Sequence, residues 1–338
     1  MTIALLVLLS AAPPHLVNAR LETRSAASGL APAVEAIVRA TPGPVWMGYE
    51  MPASGRHQMC CWDSVERAGS GCCGGCRLEG HGSFTNSVDD RPVSLEGDAT
   101  FVVLLRGEAG RVDRIRAFSA DCALDAGSLP FVWLTDVQPA ESLRLLASYL
   151  PAEKGALAAI AFHGVAEADA VLAGFTRPEQ PAAVRKQAAF WLGNARGRAG
   201  YAVLARMIRD DPSDDVRAHV AFALSQSEVP EALDAMIDAA RHDASSHVRS
   251  QSLFWLAQKA GRKAVGAITR AIDDDPETRV KQQAVFALSQ LPKDEGVPRL
   301  IEVARNNRNP AVRKRAMFWL GQSNDPRALD FIADVLRR

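Results

Sequence analysis

Seven side chains able to bind a soft metal ion or to carry thiol chemistry crowd into one short stretch: His57, Cys60, Cys61, Cys72, Cys73, Cys76 and His81. Cys122 is the sixth and last cysteine of the chain. Thiolates and imidazoles are ligands of tetrahedral zinc and of copper, so the set offers a site for one such ion. Cys73-Gly74-Gly75-Cys76 has the CxxC spacing of a redox pair, but a reactive thiol of that kind normally opens a helix after a strand, and here glycine surrounds it. The third chemistry is structural. An even number of cysteines in an exported chain favours disulfides, whose pairing the sequence leaves open. Adjacent residues such as Cys60 and Cys61 are poorly placed to bond to each other, which favours pairing between the two clusters, with Cys122 tied to them. Disulfides are the preferred reading, with no metal and no cofactor; an extracytoplasmic metal-binding or thiol-redox protein is the alternative. No Ser/His/Asp, paired-carboxylate or phosphate-loop arrangement stands out, and no catalytic residue is assigned.

Which of these chemistries operates depends on the compartment. An apolar run from Ile3 to Leu9 is followed by Pro13-Pro14 and by Val17-Asn18-Ala19, where small residues suit a signal peptidase. Residues 1–19 therefore read as a signal peptide, with a mature protein starting at Arg20 and a periplasmic or secreted destination. The run is too short to span a bilayer, which takes about 20 residues, and no later segment reads as a membrane span. Lys plus Arg and Asp plus Glu both number 39. Without a net field the chain has no general attraction for nucleic acid or anionic lipid.

The cysteines need a scaffold, and residues 20–138 carry the marks of a small cysteine-rich α+β domain. One helix is expected near Ala33 to Arg39. A hairpin is expected from Thr100–Leu105 through a turn around Gly107–Gly110 to Val112–Phe118, with a further strand at Phe131–Leu134.

Residues 139–338 follow another rule. Val184, Val216, Val248, Val280 and Val312 recur every 32 residues, each followed by a base, Arg185, Arg217, Arg249, Lys281 and Arg313. A period of this size marks stacked structural repeats. Val184, Ala188, Trp191 and Leu192 fall on one face of a first helix. Leu172, Leu204, Met236, Ile268, Leu300 and Ile332 keep the same period in a second helix. Six repeats result, starting at about Pro151, and the earliest is degenerate at Ala158-Ala159-Ile160, as a capping repeat would be.

Asp-Pro-Ser-Asp-Asp-Val-Arg at 211–217 and Asp-Asp-Pro-Glu-Thr-Arg-Val-Lys at 274–281 lead into Val220-x-x-x-Leu224 and Ala284-x-x-x-Leu288. These residues resemble the short bacterial HEAT repeats, a type also found in phycobilin lyase subunits, over 151–338. The resemblance implies antiparallel helix pairs in a right-handed superhelix and a protein-binding, non-catalytic or scaffold role; lyase activity is not carried over. The N-terminal half resembles uncharacterised exported bacterial proteins that place a cysteine-rich segment before such repeats.

One column is the candidate for contact with a partner protein. Phe190, Phe222, Phe254, Phe286 and Phe318 point about 145° away from the centre of the first-helix core face. They either pack between adjacent first helices or form an exposed apolar stripe, and such stripes mark interaction sites. The bases after the valines match an acidic column, Glu179, Asp211, Asp243 and Asp275 with Asn307 last, and read as scaffold. Arg206, Asp238, Arg270 and Glu302 alternate in sign and read as a salt-bridge ladder between neighbours, while Asn194, Gln226, Gln258, Gln290 and Gln322 read as caps on first-helix carbonyls.

Overall fold

In the N-terminal part, alternating large apolar residues draw short strands into one sheet. The computed structural model describes residues 13–54, 61–63, 77–79, 100–120, 123–153 and 155–337. The elements are β1 (Leu16–Val17), β2 (Arg20–Ser25), α1 (Leu30–Ala40), β3 (Val45–Pro52), β4 (Cys61–Asp63), β5 (Thr100–Glu108), β6 (Arg111–Ser119), β7 (Leu124–Asp125), β8 (Pro130–Thr135), α2 (Pro139–Ser148), α3 (Gly155–Phe162) and α4 (Glu167–Gly174). The main sheet runs β2-β8-β3-β5-β6-β4, and β1 pairs with β7 in a separate ribbon. The pairs β2–β8 and β8–β3 are parallel and the rest of the main sheet is antiparallel. The expected helix, hairpin and strand are all present. Ala109 and Gly110, both at positive φ, turn the β5–β6 hairpin. Two such residues in succession match the right-handed twist of paired strands.

At its centre the sheet is covered on both faces, so β3, β5 and β8 are buried along almost their whole length. Trp46, Val102, Leu104, Phe118, Phe131 and Trp133 form one core with Leu78, Leu124 and Ala126. The opposite face supplies Val45, Met47, Tyr49, Phe101, Val103, Leu105, Ile115 and Ala117, all buried. Both α1 and α3 contact β6. A Cβ on Gly155 would fall 2.1 Å from the Ile115 carbonyl oxygen, so only glycine lets α3 start against the strand. Every residue of α3 is buried, and the degenerate Ala158-Ala159-Ile160 segment is therefore a helix seated on a sheet rather than a solvent-facing cap.

Compact units divide between Gly174 and Phe175, whereas the expected boundary at 138/139 marks where strands give way to helices. The second unit holds α5 (Ala182–Ala195), α6 (Gly197–Asp210), α7 (Asp214–Gln226), α8 (Glu231–His242), α9 (Ser246–Ala260), a 3-10 turn at Gly261–Ala264, α10 (Val265–Asp274), α11 (Thr278–Ser289), α12 (Lys293–Asn306), α13 (Pro310–Gln322) and α14 (Pro326–Leu336). These are five helix pairs in the expected register, repeats two to six, after the α3–α4 pair. First helices pack on one another in the order α5, α7, α9, α11, α13. Val216, Val248, Val280, Leu224, Leu256, Leu288, Met236 and Ile268 are all fully buried.

Three variants test this account. Ser142 is buried between the Tyr49 hydroxyl (2.9 Å) and His163 Nε2 (2.9 Å), while His163 Nδ1 lies 2.7 Å from the Ala159 carbonyl oxygen. A carbonyl only accepts, so Nδ1 carries the proton, Ser142 donates to Nε2, and Tyr49 donates to Ser142. Ser142→Ala strands two buried polar groups and should cost about 1–3 kcal/mol in urea unfolding. In the array, Leu256→Ala should cost about 2–5 kcal/mol. Ile332→Ala should cost less, because Ile332 is only half-buried while its counterparts in inner repeats are sealed. Equal losses at the two positions would refute a linear stack.

Candidate functional site

One buried contact fixes how each first helix meets the next. Arg185 Nε and Nη2 donate to the two carboxylate oxygens of Asp211 at 2.9 and 3.1 Å. Arg217 grips Asp243 at 2.8 and 3.0 Å, and Arg249 grips Asp275 at 2.8 and 3.1 Å. The guanidinium fork matches a carboxylate with two parallel bonds. The third nitrogen of each Arg holds loop carbonyls, those of Gln180, Asp211 and Asp243. Each Asp also accepts a backbone N–H at the start of the next first helix, from Ser213, Ser245 and Glu277. The carboxylates of Asp243 and Asp275 hold the Arg217 and Arg249 guanidiniums above their ordinary pKa.

At the fourth step the chemistry changes on both sides together. Lys281, with no fork, donates to the Asp273 carbonyl, and Asn307 stands where an Asp would be. Asn307 keeps the turn contact to the Asn309 N–H at 2.9 Å, so the loop is preserved without the ion pair. The scaffold reading of this column holds.

With the helices so held, the phenylalanines meet across repeats. Phe190 and Phe222 stack at 5.8 Å with 16° between planes, and Phe254 and Phe286 at 5.9 Å with 7°. Between these pairs Trp255 lies 4.6 Å from Phe222, and Trp319 lies 4.9 Å from Phe286. Trp191, Trp255 and Trp319 also meet Phe190, Phe254 and Phe318 edge-on on their own helices. A continuous aromatic ladder therefore runs from α5 to α13. The Trp/Ala alternation at 191, 223, 255, 287 and 319 has its cause here: a tryptophan of one repeat reaches back to the phenylalanine before it.

Of the two readings of the phenylalanines, the structure combines both. Phe190, Phe222, Phe254 and Phe286 are half-buried by their neighbours, and Phe318 is 50% exposed. His219 lies edge-on to Phe222 at 5.5 Å. Burial, with Lys186 close by, lowers the His219 pKa and favours its neutral form. Arg315 lies over the Phe318 and Trp319 rings at 5.5 and 5.2 Å.

Two expected columns are placed differently. Asp238 pairs with His242 and Glu302 with Arg299, each within its own helix and not with a neighbouring repeat. The first-helix carbonyls of Phe222, Phe286 and Leu320 accept from Ser225, Ser289 and Ser323, which are nearer than the amides expected to cap them. His57, Cys60, Cys72, Cys73, Cys76, His81 and Cys122 lie outside the described residues, and the backbone of Cys61 pairs with Phe118 at the sheet edge. Among the described residues no group of three or more His, Cys, Asp or Glu is placed to hold a metal, and no helix is long and apolar enough to cross a membrane. The Ser142–His163 contact is a polar pairing that sequence reasoning missed: 21 residues of separation carry no local signal, and both side chains are sealed from solvent.

Asp275→Ala removes the counter-ion of a buried guanidinium and should cost about 3–5 kcal/mol. The double change Arg249→Lys with Asp275→Asn installs the pair already used at 281 and 307 and should cost clearly less. Urea denaturation of the two variants decides it, and a larger loss in the double variant would refute the substitution logic.

Residues 168–257 and 265–338 match the family described as HEAT repeats. No curated protein matches the sequence. Among solved structures, the chain is similar to human deoxyhypusine hydroxylase in complex with glycerol, with 20% identity over 51% of this chain and 68% of that one and a TM-score of 0.35. It is similar to the complex of CpcE and CpcF of phycocyanin lyase from Nostoc sp. PCC7120, with 25% identity over 46% of this chain and 99% of that one and a TM-score of 0.35. It is also similar to YibA of E. coli, with 22% identity over 50% of this chain and 64% of that one and a TM-score of 0.35. The 32-residue columns, the helix pairs they build and the family match coincide from 168 onward, and the C-terminal half of this chain belongs to the HEAT-repeat family.

Proposed function

We propose that this chain is an exported, non-catalytic protein-binding or scaffold protein whose binding surface is the aromatic face of its first helices. The observation that carries the reading is the ladder from Phe190 to Phe318: a bulky apolar residue recurs in each of repeats two to six where solvent-facing positions are normally polar, and at Phe318 half of it is open. A row of equivalent sites is what a solenoid offers a partner. Export rests on the apolar run at Ile3–Leu9, the Ala19 cleavage pattern and the even set of six cysteines. Cleavage there would leave the main sheet whole, since β2 begins at Arg20.

Phe318→Ser is the informative variant, because this ring is half exposed at the end of the ladder. It should keep the melting temperature of the wild type and lose the proteins that co-purify with it from the extracytoplasmic fraction. Unchanged recovery would remove the ladder as the binding surface. Phe222→Ser with Phe254→Ser should instead melt several degrees lower, since both rings pack on two neighbours.

A further inference from the structure

Helices α5 and α13 carry the same contact residues. Val184-Arg185-Lys186 and Phe190-Trp191-Leu192-Gly193 in α5 recur as Val312-Arg313-Lys314 and Phe318-Trp319-Leu320-Gly321 in α13. In α5 the two cations and the phenylalanine all find partners on the next repeat. Arg185 Nε and Nη2 hold the Asp211 carboxylate, Lys186 Nζ lies 2.6 Å from Asp215, and Phe190 stacks on Phe222. What α5 receives is therefore an acidic loop entering a helix, with carboxylates four residues apart and an aromatic ring two turns further on.

In α13 the same donors are set and unfilled. Arg313 Nη1 donates to the Asn307 and Arg308 carbonyls at 2.8 and 3.2 Å, as Arg249 Nη1 does to those of Asp243 and Ala244. Its Nε and Nη2, the fork that grips a carboxylate in α5, α7 and α9, have no partner among the described residues. Lys314 and Arg315 meet no carboxylate there either; Arg315 lies over the Phe318 and Trp319 rings with its Nε buried and unbonded. Three successive cations without a counter-charge leave a local positive field that suits an acidic partner.

Exposed apolar surface gathers in the same repeat. Of the six large apolar side chains exposed among the described residues, Phe318, Leu329, Val335 and Leu336 belong to repeat six. At the positions of Val335 and Leu336, repeat two has Met207 and Ile208, both buried. Apolar surface left open in this way marks a place of contact.

We propose that repeat six receives an acidic helical segment of a separate protein, docked on α13 as α7 docks on α5. One carboxylate enters the Arg313 fork, a second four residues on meets Lys314, and an aromatic ring lies on Phe318. The two parallel bonds of the fork fix the orientation of the incoming segment. This inference rests on the protein-binding reading of the array and names the chemistry of the partner.

The test uses the full chain and a blocked peptide with the sequence of residues 211–242, which carries Asp211, Asp215, Phe222 and both helices of one repeat. Calorimetry should show saturable binding, and the peptide with Asp211→Asn and Asp215→Asn should bind at least about tenfold more weakly. In the chain, Arg313→Lys with Lys314→Gln removes the fork and the exposed charge. Lysine already occupies this column at Lys281, so the melting temperature should hold while peptide binding falls by a similar factor. Absence of peptide binding, equal binding of the two peptides, or indifference to the double variant each overturns the proposal. Self-association of the chain alone in sedimentation, abolished by the same double variant, would seat a second copy on this face and also overturn it. Should the peptide fail while Phe318→Ser still abolishes recovery of a partner, the protein-binding reading stands and only the acidic segment falls.

Discussion

The fork between an arginine of one repeat and an aspartate of the next is the contact on which the ordering of the array depends. A buried ion pair adds little net stability, since desolvation offsets most of the attraction, but an unpaired member is costly. Its value is in register. Arg185, Arg217 and Arg249 can satisfy their donors only when the following repeat sits at one height and one rotation, because the same aspartate must also cap the next helix. The apolar columns between helices tolerate small slips, whereas two parallel hydrogen bonds at about 3 Å do not. The change to Lys281 and Asn307 shows which part is dispensable: the ion pair is lost while the turn contact to Asn309 remains.

Register set in this way decides what the surface looks like. A phenylalanine pointing away from the core of its own repeat has little to pack against unless its neighbour arrives at the right height. The stacking distances of 5.8 and 5.9 Å in alternate repeats, with a tryptophan closing the intervening gaps, are products of that alignment. Such pairs contribute about 0.5–1.5 kcal/mol each beyond the area they bury, so the ladder stabilises the array as well as presenting a face. Phe318, half exposed at the end of the ladder, is the ring least tied to that packing.

The N-terminal unit solves a different problem. A sheet apolar on both sides must be covered on both, and α1 and α3 cover one face. The Tyr49–Ser142–His163 chain lets three polar side chains lie within that cover with every hydrogen bond made. Satisfied networks of this kind fix one arrangement of the packed elements, since any other leaves a buried donor unpaired.

The sequence by itself determined whatever repeats or alternates. The 32-residue columns of Val, Leu and the second-helix apolar residues announce helix pairs, because burial of one face imposes a period on the chain, and the strand-like runs on either side of the turn around Gly107–Gly110 announce a hairpin. The Arg and Asp columns were legible as scaffold for the same reason. Position around a helix was legible too, which singled out the phenylalanines. What a periodic reading leaves undecided is whatever depends on distance between elements. Only the tertiary structure paired Ser142 with His163, set α3 on the sheet, gave the first-helix carbonyls to serines rather than glutamines, and joined phenylalanines and tryptophans of different repeats into one ladder. Each of those outcomes turns on a separation of a few ångströms between side chains distant in sequence, and no local pattern encodes such a separation.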